Sequence, residues 1–138
     1  ILLRKEYFKR LKFPKNIKKG LADFRHYGFR EQVNLPFIIS KIKPDLVHFP
    51  HFNLPLAFKG KFVVTIHDVV MHKFKGVEAS TLPAPLYFIK RIGYAKVFKK
   101  AVFDSTKIIV PSHFVKQELV DYYKINPEKI VVTYEGVD

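Results

Sequence analysis

The chain has 138 residues, 48% of them hydrophobic, which is enough for one domain with a real core and too apolar for a disordered segment. It contains no cysteine, which excludes a disulfide framework and any thiolate metal site. A formal net charge of +13, from 25 Lys and Arg against 12 Asp and Glu, points to anionic partners (phosphates, anionic lipid or nucleic acid) without choosing among them.

No apolar run approaches the ~20 residues of a membrane helix. Nothing resembles a signal peptide, so the cytoplasm is the expected compartment. Ile1-Leu-Leu3 resembles the tail of a strand, and Gly136-Val-Asp138 directly follows another, so both ends are expected to be cuts from a longer protein.

Residues 5–19 concentrate positive charge in Lys5, Lys9, Arg10, Lys12, Lys15, Lys18 and Lys19, interleaved with Tyr7, Phe8, Leu11, Phe13 and Ile17. Pro14, Asn16 and Gly20 break any long helix, leaving a loop or a short amphipathic piece. Two readings stand. The stretch is a solvated loop with its aromatics tucked inward, or a patch lying on the anionic inner face of a membrane, each cation adding ~1 kcal/mol.

Leu35, Ile38, Ile39 and Ile42 predict a helix within 30–42, with Pro36 in its first turn and Lys43-Pro44 at its end. Asp45 to Phe49 reads as a buried strand, followed by Pro50, His51, Phe52 and Asn53. Phe62 to Ile66 is a second, without clean polar alternation, so a central strand covered on both faces is expected. His67 and Asp68 follow it at once. Val69 to Pro85 reads as a long, mobile connection. A helix over 86–103 has Phe88, Ile92, Ala95, Phe98 and Val102 as its predicted apolar stripe.

Lys107 to Val110 is a third strand, and Ser112 is the expected N-cap of a helix reaching Lys124, with Val115, Leu119, Tyr122 and Tyr123 on one side. Asn126-Pro-Glu128 makes a turn and Ile130 to Thr133 a fourth strand. Alternating strands and helices predict an α/β fold, a Rossmann-like doubly wound parallel sheet.

In such sheets ligands bind outside the carboxyl ends of the strands. Three strand ends would bring His51, Asn53, His67, Asp68 and Ser112 to one rim, mixing imidazoles, a carboxylate, an amide and a helix N-terminus. That set suits a polyhydroxyl or phosphate ligand. Each residue also has a structural reading: His67 as a hydrogen-bonding residue, Asp68 as a turn cap, Ser112 as an N-cap and Asn53 as a turn residue. His48, His51, His67, Asp68 and His72 match no metal-ligand spacing, and no metal is expected. There is no Gly-x-Ser-x-Gly, Walker loop or Gly-x-Gly-x-x-Gly, nor a motif for reading nucleic acid.

Four blocks in order, Lys43-Pro-Asp-Leu-Val-His-Phe-Pro-His-Phe-Asn53, Val64-Thr-Ile-His-Asp68, Ile108-Ile-Val-Pro-Ser112 and Lys129-Ile-Val-Val-Thr-Tyr-Glu-Gly-Val-Asp138, resemble the N-terminal domain of family-four glycosyltransferases. The resemblance implies the GT-B architecture, in which two Rossmann-like domains face each other across a cleft, this chain being the acceptor-side one. It implies retaining transfer of a mannose-like or glucose-like hexose to a glycan or lipid-linked acceptor. The donor would be a nucleotide sugar, GDP-mannose or a UDP-sugar, used with no cofactor and without a metal. It places His67 against the donor sugar, with Asp68 beside it in the catalytic cleft. The family's glycine-rich loop would precede Ile1, and its pair of glutamates with seven residues between them would lie beyond Asp138. Where the family usually has Asn before Gly-Val-Asp, this chain has Glu135. The rival expectation is a non-catalytic basic module for anionic membrane or nucleic acid.

Overall fold

The computed structural model describes residues 1–25, 28–70 and 84–136, without the side chains of 84–86. The chain forms two compact units, Ile1–Pro44 and Asp45–Asp138.

In the first unit β1 (Leu2–Leu3) pairs in parallel with β2 (Gly20–Leu21), with Leu2 opposite Gly20. Parallel neighbours cannot be joined by a tight turn, so residues 4–19 make the crossover, with α1 (Lys5–Arg10) as its one helical piece. Gly20 is needed for that pairing, because a Cβ there would stand 2.7 Å from Leu2 Cδ2. The helix α2 (Phe29–Ile42) follows. It corrects the placement of Pro36, which lies inside the helix and not at its start. One missing N–H is tolerated because the other turns of a fourteen-residue helix stay bonded. The end is as expected: Lys43 turns left-handed (φ 50°) and donates its N–H to the Ile39 carbonyl, and Pro44 cannot continue the helix.

The second unit carries β3 (Val47–Phe49), β4 (Phe62–Thr65), α3 (Ala84–Asp104), β5 (Lys107–Val110), α4 (His113–Tyr123) and β6 (Ile130–Val132). Its four strands are all parallel, in the order β3-β4-β5-β6. This is an α/β, Rossmann-like parallel sheet, as the alternation predicted. Most of the long connection expected over 69–85, His72 included, lies outside the described residues.

Register puts Phe49, Phe62, Val64, Ile66, Ile108, Val110 and Ile130 on one face of the sheet, and all are buried. The alternate positions of β4, Val63 and Thr65, are only half-buried, so its two faces are not equally covered. With Leu54, Phe58, Phe98, Ala101, Val102, Val115 and Leu119, the buried face makes the core. Helix α3 meets α4 through Phe98 and Tyr123, whose rings stack 5.7 Å apart. Burial raises the Tyr123 phenol well above its ordinary value, so it stays neutral there.

The predicted stripe of α3 holds only in its second half. Phe98 and Val102 are buried, but Phe88, Ile92 and Ala95 are exposed. Apolar residues lie nearly all round this helix, so spacing alone could not choose the face. Tyr94, four residues before Phe98 and in contact with it, marks the face that packs. On α4, Val115 and Leu119 are buried as expected, whereas Tyr122 is exposed.

Candidate functional site

Residues 50–61, which follow β3, are pinned from several sides. Phe58 packs edge-on against Phe49 (5.5 Å) and Phe62 (6.0 Å), and Gly60 leaves the room for it, since a Cβ there would lie 2.6 Å from the Phe58 ring. Leu54 is fully buried, and Phe52 lies 5.1 Å from both Tyr94 and Phe98 on α3. The polar residues between these anchors are held at the carboxyl end of β3. There the Asn53 backbone N–H donates to His51 Nδ1 at 3.1 Å.

One strand over, Ile66 is buried and its N–H donates to the Ile109 carbonyl, so β4 is still held when His67 leaves it. The His67 ring makes two hydrogen bonds, Nδ1 to Glu135 Oε1 at 2.7 Å and Nε2 to the Pro50 carbonyl at 3.1 Å. It thus ties the segment after β3 to the segment after β6, across the end of β5. Both partners are acceptors when Glu135 is ionised, an arrangement that a ring protonated at both nitrogens satisfies and a neutral ring, with one N–H, does not. The Glu135 bond is the main cause that raises the His67 pKa above its ordinary value. Partial burial opposes this, while the Pro50 carbonyl and the charges of Glu135 and Asp68 add to it. The His51 ring lies 6.5 Å from that of His67, 26° from parallel.

The other expected residues reach the same rim with part of their capacity spent locally. Asp68 Oδ1 accepts the Val70 N–H at 3.0 Å, the turn-capping arrangement. Ser112 Oγ accepts the Val115 N–H at 3.3 Å and is the N-cap of α4. His48 stays off the rim, its Nε2 2.8 Å from Thr65 Oγ1 on the neighbouring strand. Among the described residues, no three His, Asp or Glu side chains are grouped to hold a metal ion.

The basic stretch belongs to the first unit. Lys5 and Lys9 line an open hollow of about 450 Å³ with Arg4, Glu6 and Asp23, so two carboxylates stand among those cations. Lys19 is structural: its Nζ donates to the Phe8 and Leu11 carbonyls at 2.8 and 3.1 Å. Three lysines of the second unit act alike, Lys107 on Glu128, Lys116 on Ile130 and Lys129 on Phe103, each through a backbone carbonyl. Part of the large positive charge is therefore stitched into the fold.

Glu135 was not among the expected site residues, although the rule that found the others also reaches it. It leaves the carboxyl end of β6 as His67 leaves that of β4. The Thr133 N–H carries the ladder one step further, to the Val110 carbonyl, before the chain turns over the sheet's end. The rim as built combines two imidazoles, two carboxylates and a helix start, a set that can orient hydroxyls and hold an anion.

A family model described as Glycosyltransferase Family 4 matches residues 6–138. No curated protein and no solved structure matches the chain.

Proposed function

The chain belongs to glycosyltransferase family 4, and from that premise we propose that the carboxyl rim of its sheet is the acceptor-side wall of a sugar-transfer site. A glycosyltransferase domain works between a sugar donor and an acceptor. The finer reading is a retaining, metal-independent transfer of a hexosyl group, mannose-like or glucose-like, from a nucleotide sugar to a glycan or lipid-linked acceptor. Here the chain is the N-terminal half of a GT-B enzyme, and the donor nucleotide is held mainly by the second half.

The observation that carries this reading is the convergence on His67. Four parallel strands deliver His51, His67, Ser112 and Glu135 to one rim, and His67 bridges two of the segments that leave it. As the donor's glycosidic bond breaks, positive charge grows on the sugar ring and negative charge on the departing phosphate. A fixed imidazolium stabilises that phosphate, while the imidazole His51 and the carboxylate Asp68 orient hydroxyls by position. Asn53 and Ser112 flank the sugar, Ser112 chiefly as the cap that sets the start of α4.

Thermal stabilisation of the two-domain enzyme, screened across GDP- and UDP-sugars, tests the reading. A shift with one donor class, followed by transfer with retained anomeric configuration, is expected. No stabilisation and no transfer with any nucleotide sugar would overturn it.

A further inference from the structure

We infer that Glu135 is a positioning residue whose carboxylate holds His67 doubly protonated and clamps its ring to the Pro50 carbonyl, so that the rim offers an anionic ligand group a fixed cation and not a base. The inference rests on the transferase reading for what the cation serves. The clamp itself stands on geometry alone.

A neutral imidazole has one N–H and one lone pair, so it can satisfy one acceptor only. His67 faces two, at 2.7 and 3.1 Å. Loss of the proton would break one bond, or set a nitrogen lone pair against a carboxylate or carbonyl oxygen. Charge and orientation are therefore coupled: the ring is in place when it is charged. The neighbouring groups agree with this assignment. On its own strand end stands Asp68, a second negative charge. From the β3 side comes His51, whose Nδ1 accepts the Asn53 N–H and so bears no proton. Past β5 and β6, His113 lies 6.5 Å from Tyr134, the residue before Glu135. Among the described residues, Glu135 is the one carboxylate hydrogen-bonded to the ring.

A group held this way does not take a proton from an acceptor hydroxyl, because both nitrogens already carry one. Its use is electrostatic, toward a phosphate oxygen of the donor as the bond to the sugar breaks.

The test is a long-range ¹H–¹⁵N titration of His67 in the 138-residue chain, run beside Glu135→Gln and Glu135→Asp. Glu135 is 63% exposed, so these changes leave the core intact. The expected result is that His67 titrates above an ordinary histidine, that the Gln variant brings it down, and that Asp restores part of the shift. A neutral single-tautomer pattern at the pH where free imidazole is half protonated would overturn the inference, and so would a titration unmoved by Gln. In the two-domain enzyme, the alkaline limb of the kcat/KM profile is expected to move down with the same Gln change. If the titration moves and turnover does not, the clamp stands and its service to transfer is lost.

Discussion

His51 and His67 face each other with ring centroids 6.5 Å apart, yet the two imidazoles play opposite hydrogen-bonding roles. His51 Nδ1 accepts from the Asn53 backbone, which fixes its neutral form as the Nε2–H tautomer. His67 donates from both nitrogens. One ring accepts at Nδ1, while the other faces two acceptors. His67 bridges the segments that follow β3 and β6, so it is the residue on which transfer is expected to depend.

His67→Ala is therefore expected to lower kcat/KM of the full-length enzyme by ~100-fold or more, the scale of removing one well-placed polar group from a transition state. Stability is expected to change little, because the side chain is 46% exposed and its loss opens no core cavity. Both quantities are measured on the same variant. Normal turnover with a large fall in Tm would make His67 a structural residue.

The pair with Glu135 also sets a direction in pH. The folded His67 pKa is raised, so its contribution to stability is fully present below the unfolded value of ~6.5 and lost as pH rises through the folded pKa. With side chains 46% and 63% exposed, solvent screens the pair, and ~0.2–1 kcal/mol is the expected size. Urea midpoints of the parent and of Glu135→Gln are expected to differ at mildly acid pH and to converge at alkaline pH. A gap that widens with pH would reverse the assigned sign.

Ser112→Ala separates a cap from a ligand contact. Losing the bond to the Val115 N–H is expected to cost ~1 kcal/mol of stability. The variant is expected to keep its KM for donor and acceptor within about twofold, which steady-state kinetics measures. A large rise in KM with unchanged stability would promote Ser112 to a substrate contact.

The basic stretch divides between charge and structure. Replacing Lys5, Lys9, Lys12, Lys15 and Lys18 by Gln is expected to abolish sedimentation with anionic vesicles, and added salt to weaken it in the parent. Lys19→Gln is expected to act on stability instead, because its Nζ holds two carbonyls at the end of α1. Equal sedimentation of parent and five-fold variant would leave the stretch a solvated surface.

The strands were the most legible part of the sequence, because each is a short, mostly apolar run, although the burial of β4 on both faces that such a run predicts is complete on one face only. The rim followed from them: once the runs ending at Phe49, Ile66 and Val110 are parallel neighbouring strands, the residues after them must share an edge. What local pattern could not supply was tertiary choice. Pro36 reads as a helix start until the turns on either side outweigh one lost N–H. Phe88 and Ile92 read as core until the Tyr94 and Phe98 face packs instead. Glu135 is the instructive omission. It comes from a strand end like the others, but its partner lies 68 positions earlier in the chain, a distance no local spacing reports.

The third member of the His67 clamp is a main-chain oxygen. Any residue at position 50 presents a carbonyl, so no side-chain replacement there deletes the acceptor of Nε2–H. Substitution scans will therefore find His67 and Glu135 and pass over Pro50. Its influence will surface only through changes that shift the backbone, such as those at Phe58 or Gly60, whose packing sets where the segment after β3 lies. A loss of transfer in such distant variants would mean that a carbonyl had moved, with every named polar side chain still in place.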